Sequence, residues 1–150
     1  MQIVYRPATP QDARECIRIR GLTSENAIPE QSLAQLGITV ESWAEGIRSQ
    51  EFLGYVCLAG KHMVGYDFGS AASGEVLVLA LLPSHENQGI GRQLLHLVTQ
   101  RLHALGHKRL FLGCSPDSAV RSYGFYRRLG WLSTGTFDSN GDEVLELVRQ

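Results

Sequence analysis

The sequence predicts an α/β (α+β) fold, one mixed sheet of about seven strands covered by about four helices. Three observations lead there. Short runs of β character alternate with stretches of helical period in the order strand, two helices, three strands, helix, strand, helix, two strands. One run, Glu75–Leu82, is almost wholly apolar, the pattern of a central strand buried on both faces. The chain has 150 residues, 43% hydrophobic and 19% charged, which supplies one sizeable core and fits neither disorder nor a coiled coil. Residues 1–150 are therefore expected to form a single domain.

Gln2–Arg6 alternates as a short strand. Thr9-Pro10-Gln11-Asp12 then offers an N-cap, a proline at the first helical position and an acid in the first turn. The helix that follows carries Ala13, Cys16, Ile17 and Ile19 and fades by Gly21. Residues 25–38 read as loop around a short apolar turn, Leu33-Ala34-Gln35-Leu36, and Thr39 caps a helix running to about Ser49. Phe52–Ala59 and His62–Ser70 form a hairpin across Gly60-Lys61. After the apolar strand, a helix from about Gly89 to Leu105 presents Ile90, Leu94, Leu95, Val98, Leu102 and Leu105 at helical spacing and stops at Gly106. Arg109–Cys114 is a strand and Ser118–Leu129 a helix ended by Gly130. Trp131–Phe137 and Glu143–Val148 make a final hairpin, with Asn140-Gly141 in its turn.

Formal charge is −1, but its distribution is uneven. Residues 1–84 hold six basic and nine acidic groups, residues 85–131 seven and two, and residues 132–150 one and four. A nucleic-acid binder would be basic throughout, with aromatics interleaved. One basic block in an acidic chain suits a compact polyanionic ligand, or else a solvated helix face. No apolar run approaches the roughly 20 residues of a membrane span, and the start lacks the apolar core of a signal peptide, so a cytoplasmic protein is expected. Cys16, Cys57 and Cys114 are odd in number and far apart, offering neither a disulfide framework nor paired metal ligands.

Glu86-Asn87-Gln88-Gly89-Ile90-Gly91-Arg92 sits between the apolar strand and the longest helix. Two glycines permit a tight turn, and the first amides of a helix have no intrahelical partner, so the loop can hold an anion, phosphate above all. By itself the pattern is equally that of an ordinary strand-to-helix turn. It lacks the Gly-Lys-Ser/Thr ending of a Walker loop and the three glycines and following acid of a dinucleotide fingerprint.

Together with Leu79-Ala80-Leu81-Leu82-Pro83, that loop resembles the acetyl-CoA-binding segment of the GNAT N-acetyltransferase superfamily. Gly124-Phe125-Tyr126-Arg127-Arg128-Leu129-Gly130-Trp131 resembles the later tyrosine signature of the same family. The element order matches the family's mostly antiparallel fold across essentially the whole chain. The resemblance implies acetyl-CoA as cosubstrate and no metal. It implies a pyrophosphate resting on the amides of Asn87, Gln88, Gly89, Ile90, Gly91 and Arg92, and a pantetheine arm pairing strand-like with Leu79, Ala80 and Leu81. Two positions depart from the family. Glu86 stands where Gln or Arg is usual and would repel phosphate unless it points outward. The Asn preceding the tyrosine helix is replaced by Ser118 or Ala119; Ser118 is assigned to the cofactor side and is also a candidate helix cap.

Acetyl transfer to an amine needs a neutral amine, a polarised carbonyl and a proton for the departing thiolate. Tyr126 matches the family tyrosine that supplies this proton, with Tyr123 a weaker rival and core packing the alternative. Glu75, at the start of the apolar strand, matches a family position for the base; the bland alternative is a solvated strand end. A second family position for an acid falls at Gly113 and cannot serve. His85 lies on the phosphate side, His62, His96, His103 and His107 read as surface residues, and Cys114 as a buried thiol rather than a nucleophile. The acceptor site is expected from residues around 25–37, the start of the central strand and the last hairpin. Glu25, Glu30, Asp138 and Asp142 there hint at a cationic acceptor.

The resulting expectation is an acetyl-CoA-dependent N-acetyltransferase that moves an acetyl group directly to a primary amine of a small molecule or peptide. No nucleic-acid or membrane partner is expected, and a homodimer is left open. Two alternatives stand beside it: a catalytically idle acyl-CoA-binding sensor or interaction module, and a transferase for another acyl group.

Overall fold

The computed structural model describes residues 2–149; Met1 and Gln150, which the single-domain reading includes, lie outside them. The first half of the described chain runs β1 (Ile3–Pro7), α1 (Ala13–Arg20), α2 (Glu30–Gln35), α3 (Val40–Arg48), β2 (Phe52–Ala59), β3 (His62–Ser70) and β4 (Val76–Leu81). The second half runs α4 (Ile90–Ala104), β5 (Arg109–Cys114), α5 (Arg121–Arg128), β6 (Leu132–Phe137) and β7 (Glu143–Val148). The seven strands form two antiparallel sheets, ordered β1-β2-β3-β4 and β5-β7-β6. The sheets meet at one point, a parallel bridge between Glu75 and Phe111, where the Phe111 amide donates to the Gly74 carbonyl at 3.3 Å. Beyond it β4 and β5 separate.

Local chemistry explains the boundaries. Thr39 Oγ accepts from the Ser42 amide at 3.0 Å while Ser42 Oγ accepts from the Thr39 amide at 2.9 Å, a reciprocal cap that starts α3. Gly60 takes φ +63° in the β2–β3 hairpin, as a tight turn requires. Residues 30–35, read above as loop and apolar turn, close into the short helix α2, with Leu33 buried beneath it. Ser118 does not cap α5. The Asp117 carboxylate accepts from the Ala119 amide at 2.9 Å, which holds 117–119 in a turn, and the helix starts only after an extended Val120.

α1 and α3 cover one face of the four-stranded sheet, burying Ala13, Cys16, Ile19 and Ile47 against Val56, Tyr66 and Phe68. α4 covers the other face with Leu94, Leu95, Val98 and Leu102. On that face Gly69 lies so close to α4 that an added Cβ would sit 2.7 Å from Leu102. The core also takes in Leu110, Leu112, Leu145 and Trp131 from the second sheet, so α4 spans the junction of the two sheets. Among the described residues, no helix is long and apolar enough to cross a membrane.

β4 corrects one expectation. Its apolar run does lie centrally, at the seam of the two sheets, but it is not buried on both faces. Leu77 is 37% exposed and Val78, Leu79 and Leu81 are only half-buried. Their apolar surface lines the opening created where β5 turns away.

Candidate active site

The seam is a cleft with distinct ends. One end is the loop between β4 and α4. Asn87 and Gly89 take φ of +62° and +81°, and this double left-handed turn brings the chain round into α4. Gly89 caps the helix without any side-chain partner, and the first amide that bonds back is Gln93, to the Gly89 carbonyl at 3.1 Å. Among the described residues, the amides of Asn87, Gln88, Gly89, Ile90, Gly91 and Arg92 have no protein acceptor. Six open donors at the positive end of a 15-residue helix make a site for an anion.

The long wall of the cleft is the free edge of β4. The Leu82 amide donates to Val64 at 2.8 Å, so antiparallel alternation puts Ala80 opposite Tyr66 as a bonded pair. Leu79 and Leu81, opposite Asp67 and Gly65, then aim their N–H and C=O groups at the other edge, where no strand pairs with them among the described residues. This leaves a half-buried strand edge whose main-chain groups are open to a partner. Ala80 packs its methyl into the opposite face and its N–H and C=O are paired with Tyr66, so it offers the free edge no hydrogen-bonding group.

Tyr126 packs against the core beside the cleft. Its ring meets Phe125 at 5.0 Å and Trp131 at 6.0 Å, both edge-on, and the buried Trp131 donates its amide to the Tyr126 carbonyl at 3.1 Å. Burial raises the phenol pKa, so the hydroxyl stays protonated. Tyr123 is engaged elsewhere, its ring 3.6 Å below the Arg127 guanidinium, which in turn reaches Glu143 at 2.6 Å.

At the opposite end from the loop, Glu75 sits half-buried on the bridge that joins the sheets. Burial raises its pKa, and the charge of Asp138 raises it further. Gly113 is unable to carry the acid that the sequence comparison wanted there, yet its bare backbone is covered by one. A Cβ on Gly113 would lie 2.6 Å from Asp138 Oδ2 and 3.3 Å from the Asp142 side chain. Asp138 is pinned over it, with Oδ1 accepting from the Asn140 and Asp142 amides at 2.9 and 3.0 Å. Asp138 had been assigned only to a general acceptor segment; its place above Gly113 comes from hairpin geometry that no local motif encodes.

Two other assignments change. Glu86 does not confront the anion site unpaired, since it forms an ion pair with Arg121 and accepts from Ser24 Oγ at 2.5 Å. Ser118 is exposed and makes no hydrogen bond, while Arg121 donates to Asn87 Oδ1 at 3.0 Å inside the loop. Arg121 is the residue that motif reading missed at this end. His103 and His107, read as surface residues, are half-buried and tied to backbone, to the His107 carbonyl at 2.8 Å and the Ala71 carbonyl at 2.7 Å. His85 bonds Ser84 Oγ at 2.8 Å on the loop side. All three cysteines are buried and free, and burial pushes the Cys114 thiol up. Asp67 was unforeseen as well: its carboxyl is fully buried on β3, neither oxygen has a partner, and burial holds it in the protonated form. Two open hollows among the described residues lie away from this cleft, one beside His103, His107 and Lys108 and one beside Arg6, Glu15 and Lys61.

Comparison with known proteins agrees with this geometry. The model of the acetyltransferase (GNAT) family matches residues 17–131. A search of curated proteins found no match. Among solved structures, PaiA N-acetyltransferase from Thermoplasma acidophilum in complex with coenzyme A superposes with a TM-score of 0.83 at 22% identity, covering 99% of each chain. The yncA protein from Salmonella typhimurium, with its cofactor acetyl-CoA, gives 0.76 at 16% identity over 100% of this chain and 95% of that one. The ribosomal-protein-S18-alanine N-acetyltransferase from Escherichia coli gives 0.73 at 17% identity over 99% and 96%. The fold, the loop and the family match over most of the chain agree: this protein belongs to the GNAT family of acetyltransferases.

Proposed function

We propose that the protein is an acetyl-CoA-dependent N-acetyltransferase that moves an acetyl group directly to a primary amine of a small molecule or peptide. The observation that carries this reading is the free edge of β4, with the Leu79 and Leu81 backbone unpaired between the open loop amides and Glu75. The residues fit the cosubstrate along its length. The amides of Asn87 to Arg92 would hold the pyrophosphate, Leu79, Ala80 and Leu81 the pantetheine arm, and Tyr126 would flank the reactive end. Ser118, exposed and without a hydrogen bond among the described residues, stays a candidate contact on the cofactor side.

When bound, acetyl-CoA supplies an activated acyl thioester. The chain's own groups do the rest. A free N–H of the β4 edge can polarise a carbonyl, being fixed in direction before any ligand arrives. Glu75 takes a proton from the incoming ammonium, directly or through water, so that a neutral amine attacks; its raised pKa makes it a better base near neutrality. Tyr126, kept protonated by burial, donates to the departing sulfur. Asp138 and Asp142 place negative charge over Gly113 near Glu75 and favour a cationic acceptor. The ribosomal-protein-alanine N-acetyltransferases among the structural neighbours support including peptide α-amines among candidate acceptors.

The test is thiol release from acetyl-CoA by purified protein with a panel of polyamines, aminoglycosides and peptides bearing a free α-amine. Release with at least one amine, with the acetyl group found on its nitrogen, supports the reading. Tight CoA binding with no release for any amine would establish the idle acyl-CoA-binding module instead. Release only with longer acyl-CoA would establish a different acyl donor.

A further inference from the structure

The Arg121 side chain reaches out of the first turn of α5 into the anion loop, where both of its partners are loop residues: the Glu86 carboxylate and Asn87 Oδ1. Glu86 is one of two acids in the basic block of residues 85–131, and it directly precedes the six open amides. A pyrophosphate on those amides would bring at least two negative charges beside a carboxylate that already holds the nearest guanidinium. Both anions cannot be well served by one cation. A phosphate oxygen pair matches the fork of a guanidinium and carries more charge than a carboxylate, so it is the stronger competitor.

Giving up Arg121 leaves Glu86 with one donor, so the exchange has to be driven by the greater charge of the phosphate. The Glu86 side chain is 19% exposed and retains the Ser24 hydroxyl as a donor at 2.5 Å. Arg121, at 48% side-chain exposure, is free to swing, while its backbone stays fixed because its amide donates to the Glu25 carboxylate at 3.1 Å.

We propose that Arg121 is a phosphate-binding residue of this protein and that Glu86 is its resident competitor, displaced from the guanidinium when the pyrophosphate of CoA binds. This rests on the reading of the cleft as a CoA site. It explains how an acid is tolerated at the head of a phosphate loop: paired with Arg121 it is neutralised while the site is empty, and it sets a threshold on affinity.

Calorimetric titration of CoA and of dephospho-CoA into four proteins tests it: wild type, Glu86→Gln, Arg121→Gln and the double variant. Melting temperatures confirm that each folds, and Arg121→Met serves in place of Arg121→Gln if the latter does not. Arg121→Gln should weaken CoA binding about tenfold or more, and Glu86→Gln should tighten it several-fold. In the double variant the gain from Glu86→Gln should disappear, because the cation being competed for is gone. Dephospho-CoA should give the same pattern, since the pyrophosphate is the group involved.

Tightening by Glu86→Gln that persists without Arg121 would show plain repulsion and overturn the competition. Weakening by Glu86→Gln would make the ion pair a brace and overturn it too, as would an Arg121→Gln affinity equal to wild type. A pattern present with CoA and lost with dephospho-CoA would assign Arg121 to the 3′-phosphate and reject the pyrophosphate assignment. Failure of the wild type to bind CoA at all would sink the functional reading, and this proposal with it; normal wild-type binding without the coupling would sink the proposal alone.

Discussion

The two ends of the cleft are built on opposite electrostatic plans. At the loop end, the charged side chains that meet there are paired: Glu86 with Arg121 and Ser24, Arg121 with Asn87, Glu25 with the start of α5. At the sheet-junction end Asp138 is held by its own turn, but three other groups have no side-chain partner among the described residues. Glu75 is half-buried without a cation, Asp67 is buried with both oxygens unmet, and Tyr126 makes no hydrogen bond through its hydroxyl among the described residues. Paired charges hold a shape, whereas unpaired buried groups keep protons that they exchange when a partner arrives. The proposed reading assigns binding to the first end and chemistry to the second.

The comparison breaks most decisively at Tyr126. Tyr126→Phe removes one oxygen and leaves the contacts with Phe125 and Trp131 in place. If the unpaired hydroxyl is the proton donor, turnover of acetyl-CoA with a good amine acceptor should fall by roughly 10²–10⁴-fold, with little change in CoA affinity. Unchanged turnover would remove Tyr126 from the chemistry and leave its raised pKa as a consequence of packing alone.

Glu75→Gln comes next, with an expected loss of about 10²-fold at neutral pH. The pH profile sharpens the result. With its pKa raised by burial and by Asp138, Glu75 should produce an acidic limb in kcat/KM lying above the ordinary glutamate range near about 4.3. Rate climbs through that limb as the carboxylate forms, and Glu75→Gln should abolish it. A limb that survives the substitution belongs to another group.

Much of this arrangement was legible in the sequence, and the rest shows where local pattern stops. The β2–β3 hairpin and β7 fall where alternation and turn residues place them, and α4 ends at the expected glycine. The apolar run of β4 predicts a strand central in its sheet, but β4 ends its own sheet at the seam with the second, and periodicity does not reveal that its neighbour diverges after one bridge, so the exposure of Leu77 was hidden. Glu86 looked misplaced because its donor Ser24 lies 62 positions away and Arg121 sits on a different helix. The helix start at Arg121 was obscured by an Asp117 turn whose residues read equally well as a cap. Gly113 was an apparent gap, since only the fold brings Asp138 over it. Contacts between elements, rather than the elements themselves, were what the sequence withheld.

Asp67 tests the unpaired plan through stability. In the fold its carboxyl is held neutral by burial, with its pKa well above the usual value, while in the unfolded chain it ionises near about 3.9. Unfolding at neutral pH therefore releases a proton. The stability that Asp67 contributes is full below about pH 4 and is lost as pH rises toward the raised value in the fold. Asp67→Asn should flatten that decline, so urea midpoints at pH 5 and pH 8 should lie closer together than in wild type. An unchanged pH slope would mean that the buried carboxyl does not titrate with folding.

The smallest expected effect is the sharpest probe of the acceptor end. Gly113→Ala would put a methyl 2.6 Å from Asp138 Oδ2, closer than the two atoms can approach. Gly113 lies on β5 opposite Val144 and does not need a positive φ, so the strand itself tolerates alanine. The carboxyl must yield instead, and with Oδ1 held by two amides of its own turn it moves by shifting the hairpin tip. Its charge then retreats from Glu75. Because that charge is the second cause of the raised Glu75 pKa, after burial, the acidic limb of kcat/KM should slide to lower pH by a few tenths of a unit. The plateau rate at higher pH should stay within about twofold, since Glu75 and Tyr126 keep their places. Asp138→Asn should move the limb in the same direction without the steric change. If Gly113→Ala lowers the plateau and leaves the limb where it was, Asp138 shapes the acceptor pocket and does not tune Glu75.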